Sequence, residues 1–303
     1  MSLLQPAHLD VLRPFQLENS QVHGRLVRLG EAVDAVLKAH AYPSPVSNLL
    51  AELLVLAGAL AGGLKFAGRF SLQIRGDGPV RLIVADVTND GEMRGYASFD
   101  AAAIGDEAVF QALVGKGLLA LTVDQAASGG ETYQGIVETD DRSLQDSMLA
   151  YFQQSEQVPT GIRSAVAFDP IADAWRAAAV VVQAMPGEGA VSAPEREDDW
   201  RRTMLLLDTL SDAELLDAGS DPDTLIYKVF HEDGVRVFDS LNLRFGCSCD
   251  EERVGNMLKQ FDRDEALAMP DESGKVTVTC KFCSRVYRFT PAEIAALFED
   301  TLH

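Results

Sequence analysis

All four cysteines lie in one 37-residue window near the C-terminal end, as Cys247-Ser248-Cys249, thirty intervening residues, then Cys280-Lys281-Phe282-Cys283; the other 266 positions hold none. Thiols used only as small buried apolar groups would scatter, so their confinement points to one four-thiolate site with a metal or redox task. Two cysteine pairs on separate turns can surround one ion tetrahedrally, the arrangement zinc favours in closed structural sites. Such a site keeps no open position for a substrate water, which argues against zinc hydrolysis. An iron-sulfur cluster could use the same four ligands, but its usual spacings differ from Cys-x-Cys followed far downstream by Cys-x-x-Cys. The expected cofactor is therefore one zinc per chain, held by Cys247, Cys249, Cys280 and Cys283 in the reduced form.

A ribbon that merely props up a small C-terminal lobe is the plainest reading of that ligand set. Two details point beyond it. Cys-x-Cys is less common than the Cys-x-x-Cys knuckle, and each pair is close enough for its own disulfide, since bridged Cα atoms usually lie about 4.4–6.8 Å apart. Zinc contributes about 10–16 kcal/mol to the folding of finger peptides, whereas a core of this size supplies no more than about 3–5 kcal/mol. Disulfides closing such short loops would offset little of that loss. Oxidation through a sulfenic acid resolved by the adjacent thiol would thus convert a folded lobe into a disordered one.

The elements that must position these thiols belong to a 303-residue chain, long enough for more than one folded unit. Its hydrophobic fraction of 47% is that of a globular protein. A formal charge of −20 would repel a phosphate backbone, so no nucleic-acid partner is expected. Met1 to Asn19 lacks a basic segment followed by an apolar core, so no secretory signal is read there and a cytoplasmic location is expected. In that reducing compartment paired cysteines bind metal or do redox work more often than they bridge permanently. Val46 to Leu64 is about long enough to span a bilayer, yet it carries Asn48, Glu52 and several glycines; it reads as a buried helix, with no membrane partner.

Arg69 to Arg75 alternates polar and apolar residues with the period of a half-buried strand. Gly76-Asp77-Gly78-Pro79 then makes a turn, Val80 to Val87 a second strand, Asn89-Asp90-Gly91 a hairpin turn, and Met93 to Phe99 a third strand. Leu118 to Val123 and Glu131 to Glu138 follow as strands around Ser128-Gly129-Gly130, then a helix over Ser143 to Glu156 and a strand over Ala177 to Met185. Short strands with tight turns imply an antiparallel sheet with helices around it, an α+β fold. Pro186 to Asp199 reads as a connector, and Trp200 to Phe230 as short helices with apolar stripes. Residues 186–240 carry fourteen Asp and Glu against five Lys and Arg, and helices so short and acidic need tertiary packing to persist. The expected organisation is an N-terminal core over 1–185, an acidic connector and helical linker over 186–240, and a cysteine domain over 241–303.

Together these residues resemble the heat-shock protein 33 family of redox-regulated chaperones, over nearly the whole chain. The resemblance is strongest in Phe245-Gly246-Cys247-Ser248-Cys249, Glu252-Arg253-Val254 and Cys280-Lys281-Phe282-Cys283 with Tyr287 and Phe289. His40-Ala41-Tyr42-Pro43, Leu49-Leu50-Ala51-Glu52-Leu53, Leu64-Lys65-Phe66, Gln73 to Pro79 and Tyr151-Phe152-Gln153-Gln154-Ser155-Glu156-Gln157 extend it through the N-terminal half. The resemblance implies an ATP-independent holdase that binds unfolding proteins under oxidative stress, idle when reduced and zinc-bound, and a homodimer when oxidised. It implies disulfides Cys247–Cys249 and Cys280–Cys283 in the oxidised form, and a metastable linker over about Trp200 to Phe230. Three positions depart from the family pattern: Ser284 and Ala51 stand where glycine is usual, and His23 where arginine is common. If position 284 needs a positive φ, its serine strains the knuckle.

Other candidate sites read as structural. His40 has no cysteine motif beside it, Glu156 has no convergent carboxylate or nucleophile, and Gly76 to Pro79 lacks the lysine and hydroxyl of a phosphate loop. The linker's apolar stripes read as core or as client-binding surface. No enzymatic activity is expected. The alternatives are a constitutive zinc-stabilised interaction module, or a dithiol-disulfide oxidoreductase using Cys280 and Cys283, which would need a thioredoxin-like βαβ context. A nucleic-acid ribbon is poorly supported, because residues 241–303 carry eight Lys and Arg against eleven Asp and Glu.

Overall fold

The structure, a computed structural model, describes residues 8–106, 108–126, 129–139, 143–185, 193–269, 271 and 273–299. In chain order the first elements are β1 (Val11–Leu17), β2 (Val22–Leu29), α1 (Glu31–Lys38), α2 (Ser44–Ala61), β3 (Arg69–Gly76), β4 (Val80–Thr88), β5 (Glu92–Phe99), α3 (Phe110–Val114), β6 (Gly117–Asp124) and β7 (Tyr133–Thr139). There follow α4 (Leu144–Tyr151), β8 (Thr160–Asp169), β9 (Ala174–Ala184), α5 (Ala193–Asp208), α6 (Asp212–Leu216), α7 (Pro222–Phe230), β10 (Val235–Val237), β11 (Leu241–Asn242) and β12 (Arg244–Phe245). The last are α8 (Glu251–Leu258), α9 (Arg263–Leu267), β13 (Val276–Thr279), β14 (Val286–Phe289) and α10 (Pro291–Glu299). The fold is α+β, and the chain divides into two compact units, Met1–Phe245 and Gly246–His303.

The first unit holds two sheets. One runs β10-β1-β2-β9-β8 with β11 also on β1; the other runs β12-β5-β4-β3-β6-β7. Pairing is antiparallel except for β12 beside β5. The period-two alternation of β3 buries Phe70, Leu72 and Ile74 on one face. Helix α2 carries Pro45 in its first turn, where the missing N–H costs nothing. By length and composition it could cross a membrane, but 15 of its 18 residues are buried in the core it forms with the strands of both sheets.

The first sheet is covered on both faces. Val27, Leu29, Ala177, Ala179 and Val181 face α1 and α2. Phe15, Leu17, Leu26, Ala178, Val180 and Val182 face Leu207, Leu210, Leu215, Leu225, Ile226 and Phe230 of the α5–α7 segment. Each short helix there is capped: Ser211 and Glu214 form a capping box, and Asp221 accepts the Asp223 and Thr224 N–H groups. Arg28 of β2, with no exposed surface, ties sheet to helices. Its Nε donates to Leu215 O at 2.8 Å, Nη2 to Glu214 O at 2.9 Å and Nη1 to Ser220 O. Carbonyls left over at the end of a short helix thus find a buried cation.

Several elements differ from the sequence reading. The helix expected over Ser143 to Glu156 ends at Tyr151 and passes into a π-type turn over Phe152–Glu156. Helix α5 begins at Ala193, inside the stretch read as connector; residues 186–192 lie outside the described residues, as does Ser128. Strands β1, β2 and β8 had no counterpart in that reading. Pro14 lies within β1, whose pairing with β2 runs through it, and its side lacking an N–H faces the gap between β10 and β11, where Phe238 N still reaches Pro14 O at 3.0 Å. Ala51, at a position where the family usually has glycine, is fully buried in α2.

Candidate metal centre

The second unit is small. Its buried core is Val254, Leu258, Ala266, Val276, Phe289 and Ile294, drawn from α8, α9, the β13–β14 hairpin and α10. Two loops bring the thiols together. Cys247 and Cys249 precede α8, whose N-cap Asp250 accepts the Arg253 N–H, while Arg253 Nη1 donates to Ser248 O at 2.6 Å. Cys280 and Cys283 lie on the β13–β14 turn, closed by Ser284 N to Cys280 O and Cys280 N to Arg285 O, both 2.9 Å. Ser284 has φ of 56°, the left-handed conformation that glycine adopts more readily.

The four Sγ atoms lie within 4.8 Å of one another. Cys247 and Cys249 are 3.4 Å apart, Cys247 and Cys280 3.7 Å, and Cys249 and Cys283 3.3 Å. All four are free thiols, and these separations far exceed a sulfur-sulfur bond of about 2.05 Å. They approach the edge of about 3.8 Å expected for four sulfurs each about 2.3 Å from a central zinc. The donor set thus fits a tetrahedral ion, and the half-buried sulfurs remain within reach of solvent.

The thiols are electrostatically unequal. Burial opposes ionisation of Cys249, but the hydrogen bond from Tyr287 Oη at 3.2 Å and those from the neighbouring thiols outweigh it and bring this group down to about 7. Burial and the adjacent sulfurs push Cys283 up to about 12, and burial raises Cys247 as well. One thiolate is thus tolerated and further charge resisted, which is the condition a divalent cation reverses, because a coordinating thiol is deprotonated outright. Nothing in the sequence signals the Tyr287 hydroxyl as a partner of Cys249, which lies 38 residues away on the other loop.

A family profile described as Hsp33 protein matches residues 10–290. The chain belongs to the Hsp33 family. Curated relatives named 33 kDa chaperonin include one from Caulobacter vibrioides (strain NA1000 / CB15N), 39% identical over 290 residues that span 93% of this chain and 95% of the relative. Another, from Ectopseudomonas mendocina (strain ymp), is 38% identical and covers 95% of both. The crystal structure of the 33 kDa chaperonin from Thermotoga maritima superposes with a TM-score of 0.81 over 97% of this chain and 99% of its own, at 22% identity, which establishes the shared fold.

Motifs outside the cysteine window that link the chain to the Hsp33 family sit in the first unit. His40 packs on Tyr42 with tilted rings, centroids 5.0 Å apart, and meets Tyr96 edge-on at 5.7 Å. Glu156 accepts from the hydroxyls of Tyr133 and Tyr151. The Gly76 to Pro79 turn is fixed by Asp77, which accepts Lys116 N at 2.8 Å.

Proposed function

We propose that this member of the Hsp33 family, a chaperone, is a redox-regulated, ATP-independent holdase, switched by loss of zinc from Cys247, Cys249, Cys280 and Cys283. The observation that carries this is the packing of four free thiols at zinc-tetrahedron spacing in a unit whose core, among the described residues, has six buried apolar residues. A bound zinc would hold the two loops together and keep the thiols ionised. Each local pair, Cys247 with Cys249 and Cys280 with Cys283, then gives up two electrons to one peroxide. One thiolate attacks the peroxide, breaking its O–O bond to give a sulfenic acid and hydroxide; the second thiolate then attacks the sulfenic sulfur and displaces a second hydroxide, so that one disulfide and two waters result once two protons are taken up. Two such steps remove all four ligands. The small core cannot replace the metal's contribution, so the unit unfolds.

In this reading the chain is organised as a core over 1–185, a metastable acidic linker over 186–240 and a switch domain over 241–303. Unfolding client proteins are the partners, the oxidised form is a homodimer, and the protein works in the cytoplasm. It is not an enzyme. The oxidoreductase alternative is disfavoured because Cys280 and Cys283 lie on a strand-to-strand turn rather than at a helix N-terminus, where a lowered thiol pKa would activate them.

Peroxide at elevated temperature is expected to release one zinc per chain, and the same sample should then suppress aggregation of an unfolding client without nucleotide. Equal activity in the reduced, zinc-loaded form would overturn the switch. Peptide mapping that finds mainly crossed links between the two loops would overturn the local pairing.

A further inference from the structure

The segment Tyr151–Gln157 borders a cleft that the holdase reading does not use. Helix α4 gives way to a π-type turn, and the chain reverses at Gln157 with φ of 54°; π-type insertions recur at functional sites. The cleft encloses about 480 Å³, within the range of about 300–1,000 Å³ typical of small-ligand pockets. Its walls are mainly apolar, with Leu60, Leu64, Leu121, Val123 and Phe152 among them.

Against these walls stands one buried cation. Arg25 is 9% exposed. Its guanidinium packs on Gly63, where a Cβ would lie 2.3 Å from the guanidinium carbon. Nη2 donates to Gln183 Oε1 at 2.9 Å, and Gln183 is oriented in turn by donating to Thr160 Oγ1 at 3.3 Å. Gln183 is neutral, and among the described residues no carboxylate pairs with Arg25. The nearby carboxylate that lines the cleft, Glu156, is already engaged by Tyr133 Oη at 3.1 Å and Tyr151 Oη at 2.9 Å. His23, also on the wall, is held toward its neutral form by burial and by the charge of Arg25. Burial without a counter-ion lowers even the guanidinium, to about 10. A desolvated cation left unpaired is costly, and a carboxylate matches its two-pronged donor geometry.

We propose that this cleft binds a small organic monocarboxylate, its carboxylate on Arg25 and its apolar body against Leu60, Leu121, Val123 and Phe152. One positive charge beside the carboxylate of Glu156 favours a single negative charge over a phosphate dianion. The site is separate from the cysteine centre and would be present in the reduced protein.

The test uses the full-length, reduced, zinc-loaded protein with octanoate as probe, and 1-octanol and octylamine as neutral and cationic counterparts. Calorimetry gives affinities, and methyl NMR of Leu64, Leu121 and Val123 gives the location. Octanoate should shift these methyls and bind at least about tenfold more tightly than octanol, about 1.4 kcal/mol, while octylamine should not bind. Arg25→Met should reduce octanoate to the affinity of octanol. Leu64→Trp, at a wall residue 44% exposed, should weaken both. Octanoate no tighter than octanol, shifts confined to other methyls, or unchanged affinity in the variants would each overturn the proposal. If Arg25→Met fails to fold, the octanoate-to-octanol ratio and Leu64→Trp still decide it.

Discussion

Ser284 occupies a left-handed backbone position that closes the Cys280–Cys283 turn. A side chain there is disfavoured by about 1–2 kcal/mol relative to glycine. The cost falls on the loop that carries two of the four sulfurs, so the thiol cluster is held less firmly than a glycine would allow. Ser284→Gly is expected to tighten the metal site by about 1 kcal/mol, measured as zinc retained against a competing chelator. Zinc retention equal to or below that of the parent would mean that the turn is not limiting. This strain was legible as a departure from a family pattern. The Tyr287 hydroxyl on Cys249 was not, because a contact across 38 residues depends on how the hairpin and the preceding loop meet.

Among elements, helices α5, α6 and α7 depend on polar fastenings as much as on their apolar stripes. Glu214 sits in the α6 capping box and also accepts from Lys228 of α7 at 2.5 Å. The Lys228 ammonium, and then the Ser211 hydroxyl and N–H, hold its carboxyl well below its ordinary value of 4.5, at about 2. The folded value is depressed, so this stabilisation is present above about 4.5 and is lost as pH falls through about 2. Hydrogen exchange in α6 and α7 should therefore accelerate across that window, and Glu214→Gln should flatten the dependence while keeping a side chain able to cap. An unchanged acid profile in the variant would remove Glu214 from the account. The apolar periodicity of these helices and of β9 beneath them was visible in the residues, whereas β1, β2 and β8 of the same sheet were not. Arg25 and Arg28 break the alternation of β2, and an arginine whose hydrogen bonds go to carbonyls of a helix 186 residues away looks like a surface residue until that helix is placed.

For the whole molecule, the two compact units differ in what sustains them. The first has a large continuous core wrapped around α2, while the second has, among the described residues, six buried apolar residues and a thiol cluster. Chelation of the reduced protein is expected to unfold residues 246–303 and to leave the amides of α2 and β3–β6 protected. Retention of protected amides in β13 and β14 without metal would show that the small core suffices. The α+β class followed from alternation and turn residues such as Asn89-Asp90-Gly91, where Gly91 takes φ of 87°. Composition and the cysteine window put the start of the last unit near 241, and the compact unit begins at Gly246; β10, β11 and β12 before it are two or three residues long, too short for a period to register.

Strand β9 has a consequence for how this sequence tolerates change. Val180, Val181 and Val182 are all buried, because α2 covers one face of their sheet and helices α5–α7 cover the other. A saturation scan read out by folding of the resting protein should show uniform intolerance along this strand, with no odd-even rhythm. The same scan read out on a state in which α5–α7 have left should regain that rhythm, with Val180 and Val182 newly permissive and Val181 still fixed. The pattern of permitted substitutions in eleven residues would then report which form of the molecule a selection had acted on.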